Sequence, residues 1–225
     1  MKYRLIVFDW DGTLMDSQAR ILNCMRVAIR DAGLSPPADG RITEIIGLGL
    51  LEAVQSLLPG APPALVEQVM ERYRYHFLVE DRTASTLFEG AVEMIESLLD
   101  RGYLLAVATG KGRGGLDRAL EQTGLDGHFH ATRCADESRS KPSPDMLYEI
   151  MEELGVAEAR TLMVGDTEYD LQMAANAGVS ALAVSYGVHD KQRLLSHSPL
   201  GCANDVREIP EWIEVGAGIS AVSEL

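Results

Sequence analysis

The chain has 225 residues, of which 46% are hydrophobic, so it is long enough to form one large domain or two small ones with a substantial core. Its formal net charge of −14 argues against a nucleic-acid partner, because a phosphate backbone needs a basic surface. We expect a cytoplasmic protein with free thiols and no membrane contact. The apolar runs are too short for a signal peptide or a membrane span, and the three cysteines lie in no metal-binding spacing.

The first predicted element is a short strand at residues 5–8, whose unbroken apolar run is typical of a strand buried on both faces. No strand candidate follows before residue 83. Instead, apolar residues recur with helical spacing in four segments separated by glycine and proline: 21–29, 42–46, 50–58 and 65–79. A stretch of this length is too long for a loop in a compact domain. Residues 16–82 are therefore predicted to form an all-helical domain inserted just after the first strand.

From residue 87 the predicted elements alternate between helix and strand. The helices are expected at 91–100, 116–123, 143–154 and 171–177, and the strands at 103–108, 129–132, 161–164 and 180–184. This alternation is typical of an α/β fold with a doubly wound parallel sheet. Residues 1–15 and 83–225 would then form the α/β core, with one short helix after Asp205 to which no role is assigned.

Two carboxylates, Asp9 and Asp11, directly follow the first strand. Ligands of parallel sheets bind beyond the carboxyl ends of the strands, so both acids are expected at the functional edge. Two acids this close repel each other, and a bound cation or a shared proton lets both persist. The pair therefore indicates a site for a hard metal ion such as Mg²⁺, a nucleophile with an acid–base partner, or both. The alternative is that the two residues only shape the turn or begin the next helix.

Other predicted strands also end in polar groups. Thr109 and Gly110 follow the second strand of the core, and Asp166 follows the strand at 161–164, with Asp170 one helical turn further on. Between these two strands, Lys141 stands next to a proline. Each residue has an ordinary structural explanation as a cap or a surface charge. Their combination in this order favours phosphate chemistry.

These motifs resemble the haloacid dehalogenase superfamily of phosphohydrolases, in the branch with a helical cap after the first strand. Within that branch the chain is similar to the phosphoglycolate phosphatase-like group. The resemblance is carried by the run Asp-Trp-Asp-Gly-Thr-Leu-Met-Asp-Ser at 9–17, by Thr109, by Lys141 and by Gly-Asp-Thr-Glu-Tyr-Asp at 165–170. It covers nearly the whole chain. One departure is Gly110, where many relatives have asparagine.

The resemblance implies a role for each motif residue. Asp9 would be the nucleophile that forms an aspartyl-phosphate, and Asp11 would protonate the leaving alkoxide and then take a proton from the hydrolytic water. Lys141 would neutralise charge and orient Asp9. Thr109 and the backbone N–H of Gly110 would bind the phosphoryl oxygens.

The resemblance also implies a Mg²⁺ cofactor. The ion would be held by Asp9, by the backbone carbonyl of Asp11 and by Asp166, with Asp170 supporting the site directly or through water. Asp16 is expected to fix the hinge of the helical cap and to take no part in the reaction.

Several related activities make different demands on the sequence. A dehalogenase has no use for an acid at position 11, because halide leaves without a proton. A phosphonatase needs a cap lysine, and no lysine occurs between Lys2 and Lys111. A β-phosphoglucomutase is expected to have a histidine soon after the first motif, where this chain has Gln18. A mutase is disfavoured on that ground, whereas pyrophosphatase or nucleotidase activity and a non-catalytic phosphate-binding scaffold remain alternatives.

The substrate is expected to be a small phosphorylated metabolite, with 2-phosphoglycolate as the family default. Cap residues would set the specificity, and the loop at 47–49 could approach the substrate closely. Six cationic side chains of the predicted cap are candidates for binding an acidic leaving group, although arginines are mostly exposed: Arg20, Arg26, Arg41, Arg72, Arg74 and His76. The sequence carries no indication of an oligomeric state.

Overall fold

The structure is a computed structural model that describes residues 1–218, with side chains through residue 214. The strands are β1 (Leu5–Phe8), β2 (Met15–Asp16), β3 (Thr86–Leu87), β4 (Leu104–Thr109), β5 (Ala131–Cys134), β6 (Thr161–Gly165), β7 (Ser180–Val184) and β8 (Cys202–Ala203). The helices are α1 (Gln18–Asp31), α2 (Asp39–Thr43), α3 (Leu50–Leu57), α4 (Pro63–Tyr75), α5 (Ala91–Asp100), α6 (Arg113–Thr123), α7 (Asp145–Leu154), α8 (Glu168–Asn176), α9 (Lys191–Leu195) and α10 (Ile209–Gly218). Over residues 1–218, every helix is too short or too polar to cross a bilayer.

Six strands form one parallel sheet in the order β5-β4-β1-β6-β7-β8. Alternate residues of β1 pack on opposite faces: Leu5 and Val7 belong to one apolar cluster, and Ile6 and Phe8 belong to the other. Helices α7 and α8 cover the first face, and α5, α6 and α10 cover the second. The predicted doubly wound α/β core is confirmed. The chain changes direction across the sheet between β1 and β6, so the crevice at that point is the expected ligand site.

The inserted helical cap is also confirmed as part of the fold. Helices α1 to α4 surround an apolar cluster of their own, with Met25, Ile29 and Val69 at its centre. The cap joins the core through β2 and β3, which pair antiparallel outside the main sheet. Asp16 is exposed in β2, opposite Thr86. The boundaries at 15/16 and 82/83 stay a prediction, and the last seven residues of the predicted core, 219–225, lie outside the described residues.

The predicted helix at 65–79 is divided in the structure. Helix α4 ends at Tyr75, and one wider π-helical turn, His76–Glu80, follows it. The N–H of Asp81 donates to the carbonyl of His76, and the guanidinium of Arg20 donates to the carbonyls of Phe77 and Asp81. The wide turn therefore depends on a side chain from another helix, which helical periodicity does not reveal.

Several element boundaries in the core were predicted a few residues away from their positions in the structure: α6 and α8 begin three residues earlier than predicted, α7 begins two residues later, and β5 is shifted by two residues. Helix α6 begins at Arg113, because the carboxylate of Asp136 accepts its backbone N–H. Strand β5 occupies 131–134 where 129–132 was predicted, since its register places Ala131 opposite Ala106 of β4. Phe129 lies before the strand and packs edge-on against Trp10, with ring centres 6.3 Å apart.

Candidate active site

The sequence-predicted site residues meet at the carboxyl ends of three neighbouring strands. Asp9 follows β1, Thr109 ends β4 and Asp166 follows β6. All three are buried, as is Lys141, which reaches the same point from the loop before α7. Parallel pairing aligns these strand ends, so residues more than 150 positions apart become neighbours. The structure thus brings together the groups that the sequence predicted separately.

Lys141 lies between two carboxylates. Its Nζ is 2.8 Å from Asp9 Oδ1 and 2.6 Å from Asp170 Oδ1, and only 1% of the residue is exposed. Burial disfavours the ammonium charge, but the two carboxylates outweigh that effect and hold the pKa of Lys141 above its usual value. Lys141 therefore stays charged and fixes one oxygen of Asp9.

The cluster contains three carboxylates and, among the described residues, one ammonium group, that of Lys141. Burial raises the pKa of Asp9 above its ordinary value, and Lys141 opposes that shift only in part. Burial also raises the pKa of Asp166 well above its usual value, and the charges of Asp9 and Asp170 raise it further. A further cation beside the lysine would favour the ionised forms of Asp9 and Asp166.

Asp9, Asp166 and Asp170 form a set of oxygen donors that suits such a cation. Each offers a carboxylate oxygen, and these oxygens lie within 4.8 Å of one another. Asp9 Oδ2 is fully buried and receives no hydrogen bond from the residues that the structure describes. Hard oxygen ligands with an unsatisfied carboxylate between them fit Mg²⁺. The side chain of Asp11 is not in this set, which is compatible with the expectation that it would contribute its backbone carbonyl.

Neighbouring residues hold the outer acids in place. The hydroxyl of Thr13 donates to Asp166 Oδ1 and the N–H of Val188 donates to Asp166 Oδ2, each at 2.8 Å. A Cβ at Gly12 would lie 2.2 Å from Asp166 Oδ2, so a glycine is required there. Thr167 begins α8 with a capping box, in which its N–H and hydroxyl both donate to Asp170 Oδ2. The turn thus leaves Asp170 Oδ1 for Lys141.

Asp11 has different surroundings from Asp9. Its side chain lines the cavity between core and cap, where the hydroxyl of Ser17 donates to Oδ1 at 2.5 Å and Lys111 Nζ lies 2.9 Å from Oδ2. The ammonium of Lys111 also lies 4.5 Å from the ring centre of Phe77 in the cap. Sequence reasoning gave Lys111 no role, and its position directly after Gly110 was the only signal available. Lys111 links the predicted acid–base residue to the cap.

Gly110 meets the cap backbone to backbone. A Cβ at this position would lie 2.5 Å from the carbonyl oxygen of Leu48 and 2.6 Å from that of Gly47. This close approach gives a structural reason for glycine where many relatives have asparagine. The hydroxyl of Thr109 accepts the N–H of Lys111 at 3.2 Å, and both Thr109 and Gly110 line the cavity.

The cap is held over the core by direct contacts. Arg193 of α9 bridges Glu44 of the cap and Glu168 of the core, with both pairs at 2.7 Å. The hydroxyl of Tyr169 donates to the carbonyl of Glu44 at 2.9 Å. Between the cap and the core lies a cavity of about 370 Å³, partly open to solvent, whose lining includes Asp9, Asp11 and Thr109.

Most of the cap cations that the sequence offered do not reach this cavity. Arg74 lines it, but its side chain is 49% exposed and lies 3.5 Å from Glu67. The other five cationic side chains lie outside the cavity lining, and Arg41 among them is exposed. The remaining four contact residues of the cap or its hinge: Arg20 contacts Phe77 and Asp81, Arg26 contacts Asp39, and Arg72 and His76 contact Asp31. The structure therefore leaves one of the six at the cavity.

Comparison with known proteins places this arrangement in a family. The family model of the haloacid dehalogenase-like hydrolases matches residues 6–184, a span that includes every predicted site residue. A probable phosphatase, IndB, from Dickeya dadantii is 37% identical over 203 residues, which are 87% of this chain and 86% of that protein. A phosphoglycolate phosphatase from Agrobacterium fabrum is 30% identical and covers 83% of this chain and 82% of its own length.

Solved structures share the fold as well. The crystal structure of a predicted phosphoglycolate phosphatase from Haemophilus somnus 129PT superposes with a TM-score of 0.83 at 23% identity. The superposition covers 94% of this chain and 98% of the other. With its matched motifs, its parallel sheet and its helical cap, the chain belongs to the haloacid dehalogenase-like hydrolase family.

Proposed function

We propose that the protein is a Mg²⁺-dependent phosphatase that hydrolyses a small phosphate monoester through a phosphorylated Asp9. The observation that carries the proposal is the state of the Asp9 carboxylate. It is buried at the cavity floor, with Lys141 beside Oδ1 and no hydrogen bond to Oδ2 from the residues that the structure describes. A buried carboxylate that a neighbouring ammonium holds in one orientation at the cavity floor suits in-line attack on phosphorus. The relatives named as phosphatases support this chemistry.

In the first step, Asp9 attacks phosphorus, and the bond from phosphorus to the ester oxygen breaks. Asp11 gives its proton to that oxygen, which leaves as an alcohol. In the second step, Asp11 takes a proton from water, which attacks the phosphorus of phospho-Asp9 and releases inorganic phosphate and free Asp9. The contacts of Asp11 with Ser17 and Lys111 hold its carboxylate at the cavity, on the side of the leaving group.

The metal site of the proposal uses Asp9, the backbone carbonyl of Asp11 and Asp166, with Asp170 in support. When bound, Mg²⁺ supplies positive charge that offsets the repulsion between a carboxylate and an anionic phosphate. Lys141 adds a second positive charge beside Asp9. These local charges explain how a chain with a net charge of −14 can bind an anion.

Thr109 and Gly110 complete the phosphate site of the proposal. The Thr109 hydroxyl and the N–H of Gly110 would donate hydrogen bonds to the phosphoryl oxygens. Closing the cap over a bound substrate would exclude bulk water from the cavity and strengthen these contacts. The substrate is a small phosphate ester, for which 2-phosphoglycolate is the reference compound because several of the matched proteins are named after it.

The decisive experiment measures phosphate release from p-nitrophenyl phosphate with Mg²⁺ and with EDTA. Wild type should turn over only with metal, and Asp9→Asn should lose at least about 10³-fold in kcat, because the nucleophile is gone. Asp100→Asn, an exposed acid at the end of α5, is the matched control and should keep full activity. Absence of turnover in wild type, or undiminished turnover in Asp9→Asn, would favour the phosphate-binding scaffold instead.

A second comparison tests the role of Asp11. An alkyl phosphate has a poor leaving group that needs a proton, whereas p-nitrophenolate leaves without one. The comparison uses kcat/KM, because this ratio reports the steps up to phosphoryl transfer and not the hydrolysis of phospho-Asp9 that both esters share. Asp11→Asn should therefore reduce kcat/KM by roughly 10²–10⁴-fold on ethyl phosphate and by much less on p-nitrophenyl phosphate. An equal loss on both esters would show that Asp11 is not the proton donor.

A further inference from the structure

The cavity above the reacting groups points to the chemistry of the leaving group. Resting on the phosphatase function proposed above, we propose that the substrate is the phosphate monoester of an apolar alcohol, and that such an ester is preferred over one with a second acidic group, such as 2-phosphoglycolate. The inference depends on the composition of the cavity wall and on the position of each charge near it.

The wall of the cavity is mostly aliphatic and aromatic. Its apolar side chains come from α1, from the segment that precedes and begins α3, from α4 and from the wide turn after α4. They include Ile21, Met25, Ile46, Leu50, Met70 and Phe77. The volume of about 370 Å³ falls within the roughly 300–1,000 Å³ range typical of small-molecule sites. A leaving group above Asp9 would contact these side chains.

No cation of the lining is available for an acidic leaving group. The ammonium of Lys111 lies 2.9 Å from Asp11 Oδ2 and 4.5 Å from the ring centre of Phe77, so these two contacts already engage it beside the acid–base residue. The side chain of Arg74 is 49% exposed and lies 3.5 Å from Glu67, so its charge is largely hydrated. A carboxylate placed among the apolar side chains would lose its hydration without gaining a partner, which is strongly unfavourable.

The acids of the lining add to this discrimination. Four acids line the cavity against two cations, and two of these acids, Glu52 and Asp136, stand apart from the reacting pair. They would repel an anionic leaving group, whereas they have little effect on a hydrocarbon. Both the missing cation and the surplus of acids therefore favour an uncharged, apolar alcohol.

The test is a series of n-alkyl phosphates from ethyl to hexyl, assayed with Mg²⁺. Their leaving groups have nearly the same acidity, so differences in kcat/KM report contacts with the cavity. Full burial of a methylene should raise kcat/KM by up to about fourfold, or up to about 250-fold over the four added methylenes. A flat or falling series would overturn the inference.

A matched pair of substrates tests the charge argument. n-Propyl phosphate and 2-phosphoglycolate have similar size, and glycolate is the better leaving group because its carboxyl group withdraws electrons. A higher kcat/KM for n-propyl phosphate would therefore come from the cavity and not from the chemistry of the leaving group. An equal or higher value for 2-phosphoglycolate would overturn the inference.

A variant pair locates the effect in the cavity. Leu50→Lys places a cation in the apolar wall and should lower the ratio of kcat/KM for hexyl over ethyl phosphate at least severalfold. Leu195→Lys is the control, since Leu195 is 46% exposed on α9 and lies outside the lining. An unchanged ratio in a folded Leu50→Lys protein would overturn the inference. The wild-type series decides the question alone if that variant does not fold.

These outcomes separate the inference from the function on which it rests. Metal-dependent turnover that is lost in Asp9→Asn, together with no preference for longer chains, would overturn the leaving-group inference and leave the phosphatase standing. Absence of turnover on every ester would overturn both.

Discussion

Replacing Lys141 by methionine should destabilise the metal-free protein severely. The ammonium is buried within 2.8 Å of Asp9 and 2.6 Å of Asp170, and Asp166 belongs to the same cluster. Methionine keeps most of the volume and removes the charge, which leaves three buried carboxylates with no cation. Loss of one partner of a buried pair costs about 3–5 kcal/mol. Domains are commonly stable by about 5–15 kcal/mol, so this is a large fraction of the total.

The assay is urea unfolding followed by circular dichroism, in EDTA and in Mg²⁺. In EDTA, the free energy of unfolding of Lys141→Met should fall by about 3–5 kcal/mol. Magnesium should restore part of the loss, since a ligand at 100 times its Kd stabilises by about 2.7 kcal/mol. Activity should nevertheless remain at least about 10²-fold lower, because Lys141 also orients Asp9.

Lys191→Met is the matched control for this experiment. Lys191 Nζ lies 2.9 Å from the side-chain oxygen of Asn204 at an exposed position on α9, so its loss should change stability by no more than about 0.5 kcal/mol. A loss below about 1 kcal/mol for Lys141→Met in EDTA would refute the reasoning, because such a value is typical of an exposed ion pair.

Three further changes test other parts of the structure. Gly110→Ala would place a Cβ 2.5 Å from a cap carbonyl, so the cap should lie farther from the core and kcat/KM should fall by up to about 10²-fold. Gly40→Ala is the control and should keep full activity, because its Cβ would meet nothing within 4 Å. A fully active Gly110→Ala enzyme would contradict so close an approach of the two backbones. The side-chain hydrogen bonds of His76 and Arg72 with Asp31 lower the pKa of Asp31 below 3.8. The stabilising effect of Asp31 is therefore present above that pH and is lost as the pH falls through its folded pKa. Asp31→Asn should therefore reduce the free energy of unfolding by less than about 1 kcal/mol at pH 7 and by less still near pH 3, and a difference that does not shrink would exclude the ion pairs as its cause. Burial raises the pKa of Cys24 and Cys134 to about 12, so labelling by a disulfide reagent at pH 8 should wait for unfolding in guanidinium, and rapid labelling of either thiol in the native protein would contradict this burial.

The central strands and the polar residues at their ends could be predicted from the sequence because their signals are local. The buried run at 5–8 reads as a strand wherever it lies in the sheet, and the residues after it must then stand at the carboxyl edge. The short strands β2, β3 and β8 could not be predicted, because a two-residue strand has no period to detect. Their pairing partners, and not their own composition, make them strands.

Contacts across the cap interface were equally inaccessible to sequence reasoning. Lys111 looks like a surface lysine until the fold places Asp11 and Phe77 beside it. The charge of Arg72 gives no hint that it pairs with Asp31 on the neighbouring helix and not with a substrate. Side-chain direction around a helix depends on what packs against it, and that information is distributed over the whole cap.

The backbone contact between Gly110 and the loop at 47–48 ties two distant positions of the chain together. Because no side chain lies between the two backbones, the distance of the cap loop from Gly110 is set by direct contact of peptide groups. A relative with asparagine at the position of Gly110 needs a cap loop that lies farther from the core. We therefore expect the residue at this position and the loop at 47–48 to vary together among relatives. Transferring either segment alone from a relative would either hold the cap away from the core or leave a gap between them that admits solvent.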